Sequence, residues 1–150
     1  MNNPIKMIYK FNKEAGLLDI PYSDEKECAY PMEEALEGFG TRFLTDLAYR
    51  LDIDNTISPK ALSRALVAEG PDNDLSDVDR FDKHLDIIVF SFGSLFKLGL
   101  TPQQAMAGLE IVMKANMTKL SAGQDSEGKQ NKPKDFISPE TELQSLLDKR

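Results

Sequence analysis

Apolar residues recur along this chain at helical spacing of three to four positions, and nowhere with the convincing two-residue alternation of a strand. Ile5, Ile8, Tyr9 and Phe11 predict a short amphipathic helix over about Pro4 to Ala15, closed by Gly16 and followed by a Pro-containing loop from Asp19 to Ser23. Cys28, Met32, Leu36, Phe39, Phe43 and Leu47 keep the period and predict a helix from about Asp24 to Leu51. Gly38 and Gly40 fall inside it, each costing about 1 kcal/mol relative to alanine, so they either break the helix or admit a close neighbour. Ser58-Pro59 supplies an N-cap and a first-turn proline for a helix that runs to about Glu69, where Gly70-Pro71 stops it. After an acidic loop, the stretch Asp77 to Leu98 begins polar and becomes apolar on nearly every side from Leu85 to Phe96. A helix of that kind is expected at the centre of its assembly. Thr101-Pro102-Gln103-Gln104 has capping-box spacing and opens a helix carrying Ala105, Leu109, Val112, Met113 and Met117 to about Leu120. Ser138-Pro139 repeats the earlier start signal ahead of a last short helix, Glu140 to Leu147.

The expected fold is therefore all-α, with the two long helices as its central pair. Residues 1–150 are expected to form one domain. Within it, 121–138 reads as a flexible lid or loop, because Ser121 to Lys134 is rich in Ser, Gly, Gln, Asn and Lys and cannot build a core. Residues 139–150 read as a C-terminal helix.

Charge narrows the choice of partners. A formal net charge of -7 argues against broad binding to a nucleic acid polymer or an anionic membrane, both of which use basic surface, while leaving a nucleotide admissible through a metal ion. The one cysteine, Cys28, cannot form an internal disulfide, and its place in the apolar spacing makes it a core residue. Met1 to Gly16 lacks the apolar run of a secretory signal, and Leu85 to Leu100 is interrupted by Asp86, Ser91, Gly93, Ser94 and Lys97. A soluble, cytoplasmic protein is expected.

Two carboxylate clusters carry the candidate chemistry. Glu33, Glu34 and Glu37 share one flank of the predicted second helix, bordering the stripe Met32, Leu36, Phe39. Like charges at i, i+3 and i, i+4 disfavour a helix by about 0.2 to 0.5 kcal/mol per pair. The cluster reads either as a solvated acidic face or as half of a site for a hard cation; oxygen ligands without Cys or His suit Mg²⁺, or Mn²⁺, better than zinc. Asp79, Asp82 and Asp86 stand at i, i+3 and i+7, within about a 60° sector of the long helix. Asp79 reads as a helix-dipole partner. Asp86 lies between Leu85 and Ile87 where the helix turns apolar, so it is expected to be buried and to need Lys83, Arg80 or a metal as partner.

The ordered set Glu33, Glu34-x-x-Glu37, then Leu85-Asp86-Ile87-Ile88-Val89-Phe90, then Ala115-Asn116-Met117-Thr118-Lys119 resembles the all-α nucleoside triphosphate pyrophosphohydrolases. That superfamily includes MazG-like proteins, dimeric dUTPases and phosphoribosyl-ATP pyrophosphohydrolase. The tail residues Gly128-Lys129, Lys132-Pro133-Lys134, Phe136 and Pro139 resemble the pattern of the phosphoribosyl-ATP pyrophosphohydrolase-like branch. The resemblance covers about residues 4 to 147. It implies a MazG-like helical bundle whose four-helix core is completed by oligomerisation into a homodimer or homotetramer.

It also implies an Mg²⁺-dependent cleavage of a nucleoside triphosphate or related nucleotide between the α and β phosphates, giving monophosphate and pyrophosphate. On that resemblance Glu34, Glu37 and Asp86, with Asp82, would hold the metal, Glu33 would be the base, and Asn116, Lys119 and Lys132 would contact the nucleotide. Lys83 stands where the family's second Glu is expected, and the interval between the carboxylate pairs is longer than usual. The competing expectation is a catalytically impaired helical oligomer that binds nucleotide or regulates. Without the resemblance, Lys119 is an ordinary C-terminal helix charge and Lys129, Lys132 and Lys134 are a solvated tail; His84 reads as a surface or interface residue.

Overall fold

The computed structural model describes residues 3–52, 58–68, 75–124 and 130–149. The α-helices among the described residues are α1 (Pro4–Glu14), α2 (Asp24–Glu37), α3 (Thr41–Arg50), α4 (Pro59–Ala68), α5 (Asp77–Lys97), α6 (Pro102–Lys119) and α7 (Glu140–Leu147). Short 3₁₀ turns follow α1 at Leu17–Asp19 and α6 at Leu120–Ala122. Among the described residues the only β feature is one isolated antiparallel bridge, Gln124 to Gln130, so the chain is all-α. The stop signal at Glu69, Gly70 and Pro71 and the motif residues Gly128 and Lys129 lie outside the described residues.

Local chemistry sets the helix ends. Asn3 caps α1, its Oδ1 accepting from the Ile5 and Lys6 amides at 3.0 and 3.3 Å, and Ser58 caps α4 by accepting from the Ala61 amide at 3.1 Å. At α6 the capping box closes in both directions: the Gln104 amide donates to Thr101 Oγ1 at 3.2 Å, and the Thr101 amide donates to Gln104 Oε1 at 2.9 Å. Thr101→Ala is expected to cost about 1 kcal/mol of stability, read as a lower denaturant midpoint with an unchanged slope. Gly99, at φ 88°, ends α5: its amide donates to Phe96 O at 2.9 Å and the Leu100 amide to Leu95 O at 3.3 Å, a pairing that needs the left-handed backbone glycine supplies. α7 spans the expected Glu140–Leu147, with Pro139 in the cap position and no side-chain hydrogen bond from that cap.

The chain divides into two compact units, residues 1–20 with 77–150, and residues 21–76. In the first, α6 packs against α1, α5 and α7. Ala105 and Met113 are buried there, and Gly108 lets α7 come close, with Leu143 and Leu146 at 3.6 and 3.7 Å from where a Cβ would stand. In the second unit, α4 packs against α2 and α3 around Leu36, Leu44, Ala48 and Leu62, with Met32, Leu47, Leu51 and Leu66 half-buried around them. The expected single helix from Asp24 to Leu51 is two helices. The break falls at Gly38 to Gly40, where Gly40 adopts an extended conformation (ψ 155°) and becomes the N-cap of α3. Pro31 stands inside α2, where it donates no amide hydrogen bond.

Candidate functional site

Asn116 and Lys119 lie three residues apart on α6 and so share a face; Lys119 Nζ donates to Asn116 Oδ1 at 2.7 Å. Past the following 3₁₀ turn, Gly123 takes φ 72° and the chain doubles back through the Gln124 to Gln130 bridge, with the Asn131 amide donating to Gly123 O at 2.9 Å. Gln124 Nε2 also donates to Ala15 O at 2.7 Å, fastening this return to the end of α1. The returning segment brings Phe136 and Lys132 back to α6: Lys119 Nζ stands 5.3 Å from the centre of the Phe136 ring and Lys132 Nζ 5.4 Å from the same centre. Lys119 and Lys132, both singled out by resemblance, are thus brought to one aromatic ring, with Asn116 hydrogen-bonded to Lys119. Two ammonium groups and an amide in one place can meet phosphate oxygens. Lys119, at the last position of α6, also complements the negative end of the helix dipole.

The Glu cluster sits at the other chemical extreme. Ala29, Glu33 and Leu36, at i, i+4 and i+7, form the buried stripe of α2 in the unit where α4 buries Leu62, Ser63 and Val67. Glu33 is 7% exposed and is engaged, not free. Glu34 and Glu37 are exposed, and because the helix ends at Glu37 they occupy its last turn, which holds no basic residue. Carboxylates at that end face the negative pole of the helix, so each is disfavoured by about 0.3 to 1 kcal/mol at low ionic strength, in addition to their mutual repulsion. Leu44 and Ala48, which a continuous helix would place at the angles of Glu33 and Glu37, belong instead to α3. Phe39 and Phe43, expected in the packed stripe, are exposed and stack on each other at 4.5 Å.

On α5 the Asp79, Asp82, Asp86 column is exposed. The expectation that Asp86 is buried is corrected: no α5 residue is buried, and Leu85, Ile88, Val89 and Phe90 are 43, 50, 64 and 73% exposed. Helical spacing reports that a face is apolar; what covers the face has to come from outside the helix. Lys83 and His84 are half-buried and each is engaged, while Arg80 pairs with Asp77 at 3.1 Å. The oxygen-only donors suit a hard cation chemically. Among the described residues, however, no three His, Cys, Asp or Glu side chains form a metal-holding group. Glu33, Glu34 and Glu37 belong to one unit and Asp82 and Asp86 to the other, and neither unit by itself assembles a metal centre.

The first unit also contains a groove of about 680 Å³ among α1, α5, α6 and α7, lined by residues such as Ile8, Phe92, Leu95, Leu109, Val112 and Leu146. Its lining is apolar apart from Ser91 and Gln104, which makes it a poor receptor for phosphate. No single described helix is long and apolar enough to cross a membrane. The chain matches no known family model, no curated protein and no solved structure.

Proposed function

We propose that the protein is a nucleotide pyrophosphohydrolase that cleaves a nucleoside triphosphate, or a related nucleotide, between the α and β phosphates with the aid of Mg²⁺ or Mn²⁺. Water adds at phosphorus, the bridging P–O bond breaks, and the products are monophosphate and pyrophosphate. The observation that carries this reading is the gathering of Asn116, Lys119 and Lys132 at the end of α6. In it, the two ammonium groups offset phosphate charge and Asn116 holds Lys119 in place. By the resemblance, Glu34 and Glu37 in one unit and Asp82 and Asp86 in the other are each candidate metal ligands, and a cation, when bound, would supply further neutralisation of the phosphate oxygens. Glu33, held away from bulk water in the buried stripe of α2, is the candidate base that takes the proton of the attacking water.

The exposed apolar length of α5 supports assembly into a homodimer or homotetramer, since an apolar face of that extent marks a protein contact. A second reading, a helical oligomer that binds nucleotide without turning it over, is favoured by the absence of a three-ligand metal group among the described residues and by Lys83. Incubation with a panel of canonical and modified nucleotides plus Mg²⁺ or Mn²⁺ separates the two. Release of monophosphate and pyrophosphate from at least one substrate, abolished in Glu34→Ala, is the expected result. No turnover on any substrate, with Glu34→Ala binding nucleotide as well as the parent protein, supports the second reading.

A further inference from the structure

Phe136 is half-buried, and its amide donates to Pro133 O at 3.1 Å, which fixes the turn that presents the ring. Lys119 comes to that ring from α6 and Lys132 from the returning segment, at 5.3 and 5.4 Å from its centre. An ammonium within about 6 Å of an aromatic centre is attracted by the ring's negative face. A polyanion long enough to reach both ammoniums gains attraction from each. Lysine side chains otherwise sample many rotamers, and ordering them on binding costs affinity; holding them on a ring beforehand reduces that cost. Phe136 is the side chain common to both.

Resting on the reading of Lys119 and Lys132 as phosphate ligands, we propose that Phe136 is a positioning residue that holds the two ammonium groups as a clamp for a linear polyphosphate, the part of the nucleotide common to every triphosphate. Phe136 touches no reacting atom in this arrangement; it acts through the lysines. The clamp therefore discriminates by phosphate-chain length and not by base.

The test is calorimetric titration of the full chain with inorganic tripolyphosphate, without divalent metal and at low ionic strength. Phe136→Leu is expected to weaken binding by about three- to tenfold, the size of one or two cation–π contacts, while Phe136→Tyr binds like the parent protein. In a Lys132→Gln background the same Phe136→Leu change is expected to cost clearly less, because one of the two cations it positions is gone. Proton NMR of the unmutated chain gives a second readout that needs no variant: the ε-methylene protons of Lys119 and Lys132 should be shifted upfield by the ring and should move on adding tripolyphosphate. Unshifted ε-methylenes overturn the clamp. If Lys119→Gln and Lys132→Gln both bind tripolyphosphate normally, the phosphate reading fails and the clamp with it. If those variants weaken binding but Phe136→Leu does not, or weakens it equally in the Lys132→Gln background, the phosphate site stands and the role of Phe136 is overturned.

Discussion

Replacing Leu62 by alanine is expected to destabilise the unit formed by Pro21–Ser76 by about 2 to 5 kcal/mol. Leu62 is fully buried, at 0% exposure, in the cluster with Leu36, Leu44 and Ala48, so the substitution removes packed methyl groups and leaves a cavity that three separate helices would have to move to fill. A unit of this length has a total stability of about 3 to 8 kcal/mol, so the loss is of the same order as the whole. Amide hydrogen exchange should therefore accelerate throughout α2, α3 and α4 while the amides of α6 keep their protection. Uniform acceleration along the whole chain would show instead that the two units unfold as one.

Neutralising the exposed carboxylates at the end of α2 is expected to move stability and activity in opposite directions. In Glu34→Gln, Glu37→Gln or the double variant, removing negative charge from the helix C-terminus should raise stability by a few tenths to about 1 kcal/mol per site in metal-free buffer. The same changes should lower turnover by at least about 100-fold, the scale on which loss of preorganised electrostatic groups is felt. A cation reverses the balance. Mg²⁺ should raise the melting temperature of the parent protein, by mass action on the folded state, and leave the double variant unchanged. An equal response to Mg²⁺ in both would remove Glu34 and Glu37 from the metal site. A destabilised double variant would mean that these carboxylates have protein partners that outweigh the helix dipole.

Much of the helical layout is legible in the chain because its punctuation is strong. Ser58-Pro59, Thr101 with Gln104, Gly16 and Gly99 each stand where an orphan amide or carbonyl needs them. Gly38 and Gly40 were less decisive, since glycine is compatible with both a continuous helix and a break, and only the extended backbone at Gly40 resolves the choice. That choice changes the chemistry of the Glu cluster, turning two mid-helix charges into carboxylates at a negative helix pole. Glu33 is readable as a border residue but not as a member of the buried stripe, because burial depends on what packs against α2, and no period within α2 reports that. The i, i+3 spacing of Asn116 and Lys119 is visible in one dimension. The return of Lys132 and Phe136 to the same place depends on the Gly123 turn and the short bridge after it, and no local period encodes that. The apolar character of α5 was plain, whereas its exposure was not, since a hydrophobic period carries no information about which chain covers it.

The most direct measurement is phosphorus NMR of nucleoside triphosphates, taken through a panel of bases and sugars, incubated with the purified full chain and Mg²⁺. The expected result is a nucleoside monophosphate and pyrophosphate released in equimolar amounts from at least one substrate, the pyrophosphate signal growing at about twice the intensity because it holds two equivalent phosphorus atoms, and neither signal appearing in the Glu34→Gln, Glu37→Gln double variant. Diphosphate with inorganic phosphate, or an unchanged triphosphate spectrum across the whole panel, would contradict it.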